Sequence, residues 1–376
     1  MANGQIKLAK PTSTEIIPLG IPAHKSSSQS NSVIAFTFTL TGDLPDHVDI
    51  SINAGATNLL TDKILKNNLI SGENTWEWDG FDKHGKFSSK NLKQQALEIS
   101  MIGQYGANAL TSKQTFELKH SQQSWVDVEI DKNAKQIAVE LRVNIKDGGE
   151  NGVGELPSKE VSSDPNYAHR PESKIKHQRT RQFAALKMLV SSGTGNYWSR
   201  AISLDSGKIY QVSTNVTFAT VNAMDDIAVV YNTNRSWLRS SNPGRIRGAL
   251  SLVGNMIARE RIAYNVGFIK AKQGWLLVSS QSADNALKHT AAHELGHEIL
   301  SAYGGDTYSY THRGSSSITQ STKSVANGGE LFPSVGNEVD LMKYYNGGTA
   351  SAYYSRGTAS NYDVRSLIYL AGLKTK

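Results

Sequence analysis

Residues 146–171, KDGGENGVGELPSKEVSSDPNYAHRP, carry four glycines within seven positions, three prolines and almost no apolar side chain. A stretch of that kind cannot continue a hydrophobic core, so it divides the 376-residue chain into two parts. The length agrees, since it exceeds what one small core organises. On the N-terminal side the apolar pattern has period 2; on the C-terminal side it includes runs with the 3.6-residue period of helices. The expected organisation is a flexible segment over 1–31, a β domain over 32–145, a linker over 146–170 and a second domain over 171–376.

In the first domain, residues 33–40 (VIAFTFTL), 48–52, 97–102 and 137–145 alternate apolar and polar positions between turn residues. About 110 residues so patterned read as a β-sandwich of immunoglobulin-like size. Trp76 and Trp78 in NTWEWDGFDKHGKF fall on one face of a strand and read as core aromatics. Asp79 and Asp82 lack the oxygen spacing of a calcium loop. Beyond the linker, residues 172–192 have helical spacing with a basic first half, 209–219 and 227–231 read as strands, 244–263 as a helix, and 266–270 and 275–279 as two short strands.

The chain contains no cysteine, which excludes disulfide frameworks, thiolate metal sites and cysteine nucleophiles, so any metal must sit on His, Asp or Glu. Forty Lys and Arg against 33 Asp and Glu give a net charge of +7, which favours anionic surroundings. No nucleic-acid motif accompanies that charge, and the basic half of 172–192 reads as a solvated helix face. The first 31 residues hold no apolar segment of signal-peptide length, and no later run approaches 18 apolar residues. The expectation is a protein with no membrane span and no nucleic-acid partner, exported without a classical signal peptide.

The stretch that carries chemistry is DNALKHTAAHELGHEILSAYGG, residues 284–305, with helical apolar spacing, Asp284 as the expected N-cap and Gly304-Gly305 as the expected stop. Within HELGH, His293 and His297 are four apart, about one helical turn of ~5.4 Å, so both imidazoles can reach one zinc ion. Glu294 then lies beside the metal's open side, where a carboxylate can take a proton from water whose pKa the ion lowers to about 7 and pass it to a leaving amine. Gly296 leaves room near the metal. Glu298 departs from the neutral residue usual after the second histidine.

A catalytic zinc needs a third protein ligand. His312, fifteen residues past His297 and beyond the glycine pair, is the first expectation, with Glu330, Glu338 and Asp306 as alternatives. His289 reads as a helix-surface or supporting residue. In GNEVDLMKYYNG, Met342 and two tyrosines follow a loop, and Tyr344, Tyr345 or Tyr310 could stabilise the oxyanion. No nucleophile elbow, Walker loop or dinucleotide-binding glycine pattern is present.

HELGH resembles the motif of zincin metallopeptidases, and DLMKYY resembles the methionine turn of metzincins, although Leu300 replaces the glycine of the metzincin continuation. HELGHEILSAYGGDTYSYTHRGSSS, with EVDLMKYYN and YYSR, looks like the metallopeptidase effectors of type VI secretion systems, and NTWEWDGFDKHGKF is similar to FlgD-like immunoglobulin-like modules. The resemblance implies an α+β fold, an immunoglobulin-like β-sandwich followed by a zincin-like domain. It further implies Zn2+ as cofactor, peptidoglycan stem peptides in a target-cell periplasm as substrate, a secretion-apparatus carrier for the sandwich and an immunity protein. Two other expectations stand beside it: a secreted zinc protease that degrades proteins, and a non-enzymatic binding protein with a vestigial motif.

Overall fold

The computed structural model describes residues 4–11, 14–154, 175–176, 178–241, 260–272, 274–311, 330–343 and 345–376, giving backbone alone for Asp306, Thr307, Tyr310, Thr311, Glu330, Leu331 and Asn346. It is a mixed α+β protein in which strand dominates. The chain forms two compact units. The first comprises Met1–Val139, Ile202–Val212 and Arg365–Lys376; the second comprises Glu140–Ala201 and Ser213–Val364.

In the first unit, Ile34–Thr41 pairs antiparallel with both Gln5–Leu8 and Gly72–Trp78. A four-stranded antiparallel sheet runs in the order Thr57–Leu65, His47–Ala54, Leu97–Tyr105, Asn108–Phe116. The period-2 pattern places Ile34, Phe36, Phe38 and Leu40 on a buried face of the first sheet, and Val48, Ile50, Ile52, Leu97, Ile99 and Met101 on that of the second. Phe116 meets Phe36 and Trp78 edge-on, at ring-centroid distances of 5.3 and 6.4 Å, so the buried faces contact one another. Trp76 and Trp78 are both buried, and their indole nitrogens donate to Asp62 and to the Phe81 carbonyl. The chain end returns to this unit: Leu373–Thr375 pairs with both Leu118–His120 and Glu15–Ile16.

In the second unit, Glu140–Asn151 of the strand Gln136–Asn151 lies parallel to Met224–Asn232, which in turn pairs parallel with Arg261–Asn265. The strand therefore runs into the glycine-rich segment expected to be linker. Its register shifts between Asp147 and Glu150, and Gly149 has φ +79°, so the glycine pair builds a bulge. Gly152 is required by contact, because a Cβ there would lie 1.6 Å from the Thr233 carbonyl oxygen. Arg235–Ser236, Gly267–Ala271 and Gly274–Val278 form a three-stranded sheet with Gly274–Val278 at an edge.

The segment expected to be flexible over 1–31 instead supplies the paired strands Gln5–Leu8 and Glu15–Ile16, and three expected helices also differ in their bounds. The helix expected over 172–192 is Phe183–Tyr197. Arg179 and Arg181 precede it outside any helix or strand and pair with Asp147 and Asp284 at 2.9 and 2.7 Å, so carboxylates take up that basic charge before the helix begins. Of the helix expected over 244–263, residues 244–259 lie outside the described residues, and its end belongs to the strand Arg261–Asn265, whose Ile262 and Tyr264 are fully buried. The motif helix begins at Ser280, a turn before Asp284; Ser279 caps it by accepting from the Ser282 N–H at 3.1 Å. Asp284 accepts instead from Arg181 and from the Tyr264 hydroxyl. Among the described residues no helix is long and apolar enough to cross a membrane.

Because Leu373 is fully buried and its strand joins two others, deleting residues 373–376 should destabilise the first unit by about 3 kcal/mol or more. Urea unfolding followed by tryptophan fluorescence measures this, and an unchanged midpoint would show the strand to be dispensable.

Candidate metal centre and cleft

The helix Ser280–Thr311 carries HELGH with its chemistry facing inward: His293 and Glu294 are 6 and 7 % exposed, and His297 and Glu298 are also buried. The two imidazoles lie with ring centroids 4.8 Å apart and planes at 87°. Buried polar groups of this kind are costly without partners, and each histidine is held by a carbonyl. His293 Nδ1 donates to the Leu341 carbonyl at 2.8 Å, and His297 Nδ1 donates to Ser309, whose carbonyl and hydroxyl oxygens are both 3.1 Å away. Ser309 Oγ in turn donates to the His297 carbonyl at 2.7 Å. A proton on Nδ1 leaves the lone pair on Nε2 in both rings, the tautomer in which a histidine ligates a metal.

The Ser309 contact depends on a break in the helix. In a straight α-helix residues 297 and 309 would stand about 18 Å apart. Gly305 has φ +80° and ψ 170°, outside helical geometry and in a region open to glycine, and the chain folds back there. The glycine pair expected to end the helix thus reverses it.

Beneath the motif sits the turn that holds Met342. Its amide donates to Asp340 Oδ1 at 3.0 Å, the Lys343 amide donates to the Asp340 carbonyl, and both Leu341 and Met342 are buried. Met342 packs against Gly296: a Cβ on Gly296 would lie 2.4 Å from Met342 Sδ and 2.9 Å from Trp198 Cζ2. The Trp198 indole also donates to the Ala292 carbonyl at 3.1 Å. Gly296 therefore makes room for the methionine turn and the tryptophan.

The remaining expected residues are placed as follows. His312 and Tyr344 lie outside the described residues, as do the side chains of Tyr310, Asp306 and Glu330. Glu338 is 66 % exposed on its side chain and pairs with Arg200 at 3.0 Å. No group of three or more His, Asp or Glu that could hold a metal occurs among the described residues. Glu298 Oε1 accepts from the Asp225 amide at 3.0 Å, so the charge that departs from the usual motif anchors a neighbouring strand. His289 is not a surface residue. Its ring packs against Tyr197, Tyr353 and Tyr354 at centroid distances of 5.4, 6.1 and 5.7 Å. Burial, with a smaller contribution from His293, pushes its pKa down to about 3. Burial likewise lowers the pKa of His293, opposed in part by the bond to Leu341.

Glu294 faces a cleft of about 760 Å³, bounded by Asn285 and Thr290 of the same helix, Val278, residues 237–240 and the helix Ala350–Arg356. Tyr354 of the latter helix contributes to the lining. Its backbone carbonyl accepts from the Tyr197 hydroxyl, and burial raises its pKa. Tyr354 was not among the expected site residues. It stands sixty positions after Glu294, and the only signal in the sequence was its place in YYSR.

No protein-family model matches this chain, and no curated protein does. Among solved structures, a Bifidobacterium dentium β-glucuronidase complexed with coumarin-3-O-glucuronide is 13 % identical, with 77 % of this chain and 42 % of that one covered at a TM-score of 0.21. A Parabacteroides merdae β-glucuronidase is 9 % identical, with 77 % and 33 % covered at 0.20. The chain thus spans less than half the length of either enzyme, and likeness at that level bears on neither fold nor activity.

Two outcomes follow from this geometry. Gly296→Ala should cost about 1–3 kcal/mol by overpacking Met342 and Trp198; unchanged thermal stability would show that the turn yields freely. For His289, the unfolded chain takes up a proton near pH 6.5 that the folded chain refuses down to about 3. In metal-free protein, the contribution of His289 to stability should therefore be level above pH 6.5 and fall as pH drops toward 3. His289→Phe should remove that contribution, about 2 kcal/mol at pH 5. Urea titrations at pH 5 and 7.5 measure it, and an equal loss in both proteins would refute the assignment.

Proposed function

We propose that this chain is a zinc-dependent metallopeptidase. The observation that carries the reading is the HELGH pair: two perpendicular imidazoles, each with Nδ1 committed to a carbonyl, above a buried methionine turn and beside a cleft that Glu294 faces. Two neutral imidazole nitrogens suit zinc. His293 and His297 would hold the ion, with the third ligand from the residues after Gly305, His312 first and Glu330, Glu338 or Asp306 as alternatives. Bound there, zinc supplies Lewis acidity and brings the pKa of a water to about 7.

The chain's own groups supply the rest. Glu294, nearly buried at the cleft wall, accepts the proton of the attacking water and returns it to the leaving amine. Tyr354, whose raised pKa keeps it protonated, is the described tyrosine of the cleft able to donate a hydrogen bond to the oxyanion, in the role first expected for Tyr310 or Tyr344. The edge strand Gly274–Val278 gives an extended peptide a place to add as a further strand.

The two contacting antiparallel sheets of the first unit fit an immunoglobulin-like sandwich, and the second unit a zincin-like domain. With the resemblance of its motifs to type VI secretion effectors, the fuller reading is an antibacterial toxin. It would be carried by its N-terminal domain, neutralised by an immunity protein and directed at peptidoglycan stem peptides in the target periplasm. The net charge of +7 suits an anionic wall polymer.

Elemental analysis of the purified chain, paired with digestion of isolated peptidoglycan and of a denatured protein, tests this reading. Wild type and Glu294→Gln should each hold one zinc, and hydrolysis should fall about a thousandfold in the variant. Tyr354→Phe should lower kcat about a hundredfold with KM nearly unchanged. Cleavage of protein but not wall would redirect the substrate to proteins, and absence of zinc would return the non-enzymatic binding reading.

A further inference from the structure

The cleft has a wall that this chemistry does not use. Residues 237–240 lie outside the named strands, yet their backbone is bonded to the scaffold at successive positions. The Trp237 amide donates to the Lys270 carbonyl at 2.9 Å. The buried Asn265 side chain stands in for a neighbouring strand: its Oδ1 accepts from the Leu238 amide at 3.1 Å and its Nδ2 donates to the Leu238 carbonyl at 2.9 Å. Asn265 is fixed in turn by Asn232, and Asn232 by Asn151, at 2.6 and 2.9 Å. Arg261 Nε donates to the Arg239 carbonyl, and Ser240 Oγ accepts from the Ala263 amide.

With so much of its backbone committed to the scaffold, this wall offers side chains to the cleft. Trp237 is 53 % exposed and Arg239 is exposed, and both line the same cleft as Glu294. Of the described residues lining it, Glu294 is the only carboxylate and Arg239 the only cation. Arg239 forms no ion pair among the described residues, and its carbonyl is held by Arg261. Trp237, Val278 and Ala286 add apolar surface to the lining of the cleft. An arginine on a pre-positioned backbone, in a cleft with apolar surface and without a carboxylate partner among the described residues, is suited to receiving a carboxylate from a ligand.

We propose that Arg239 is a specificity residue that receives a substrate carboxylate, with Trp237 packing on an apolar part of the same peptide. This assignment rests on the peptidase reading and narrows it to acidic peptides. The carboxylate can come from an Asp or Glu side chain or from a free chain end.

The test is cleavage-site profiling of a pool of unstructured peptides, half with free and half with amidated C-termini. The full-length zinc-loaded protein, its Arg239→Glu variant and its Glu294→Gln variant are compared. Wild type should favour a carboxylate at one fixed position by about fivefold, the contribution of a partly exposed ion pair. Arg239→Glu should reverse that preference toward Lys and Arg. Enrichment in amidated and free peptides alike assigns the carboxylate to a side chain, and enrichment confined to free termini assigns it to the chain end; both support the proposal. Cleavage without acidic preference, or with a preference that Arg239→Glu leaves unaltered, overturns this assignment and leaves the peptidase reading in place. Absence of Glu294-dependent cleavage overturns both.

Discussion

The docking of one turn beneath one helix sets the geometry on which the site depends. Leu341 offers its carbonyl to His293 Nδ1, and Met342 fills the space that Gly296 leaves open. A histidine so bonded has one tautomer and one ring orientation, which a metal ligand requires. The turn also reaches the far side of the cleft. Val339–Asp340 pairs parallel with Gly357–Thr358, directly after the helix that carries Tyr354, and the Arg356 side chain donates to the carbonyls of Pro333, Ser334 and Asn337. A shift of this turn would move the imidazole and the tyrosine wall together.

The second histidine depends on a separate device. Gly305 lets the chain reverse so that Ser309 returns to His297, accepting from its ring and donating to its backbone carbonyl. The helix thus buries two histidines and two glutamates within six positions, a burial tolerated only where partners exist. Glu298 illustrates the point: an unusual charge for this motif, it meets the Asp225 amide. Amides play the matching role across the cleft, where Asn151, Asn232 and Asn265 hold residues 237–240 in place of a missing strand.

Local signals made much of this legible. Period-2 alternation located the strands around 34–41, 47–54 and 97–105, because half-buried strands sort their side chains by parity. The spacing of HELGH placed His293 and His297 on one helical face, because a helix turns every 3.6 residues. Local signals failed where a distant partner decided the outcome. Residues 178–182 continue the helical spacing, yet Arg179 and Arg181 go to Asp147 and Asp284, the latter more than a hundred positions away. Asp284 looks like a cap, but Arg181 and Tyr264 claim its carboxylate while Ser279 caps the helix. The glycines at 148 and 149 read as a chain break and instead shape a bulge in a paired strand.

The sequence by itself determined the alternation of the strands, the exclusion of thiolate chemistry and the presence of two imidazoles and a carboxylate on one helical turn, since each follows from residues a few positions apart. Tertiary structure decided which nitrogen of each imidazole is committed, where Met342 sits and which tyrosine and arginine line the cleft. Those outcomes join His293 to Leu341, Gly296 to Met342, and Glu294 to a cleft shared with Tyr354 and Arg239. The partners lie about 45 to 60 positions apart in the chain, a separation that helix and strand periodicity do not span.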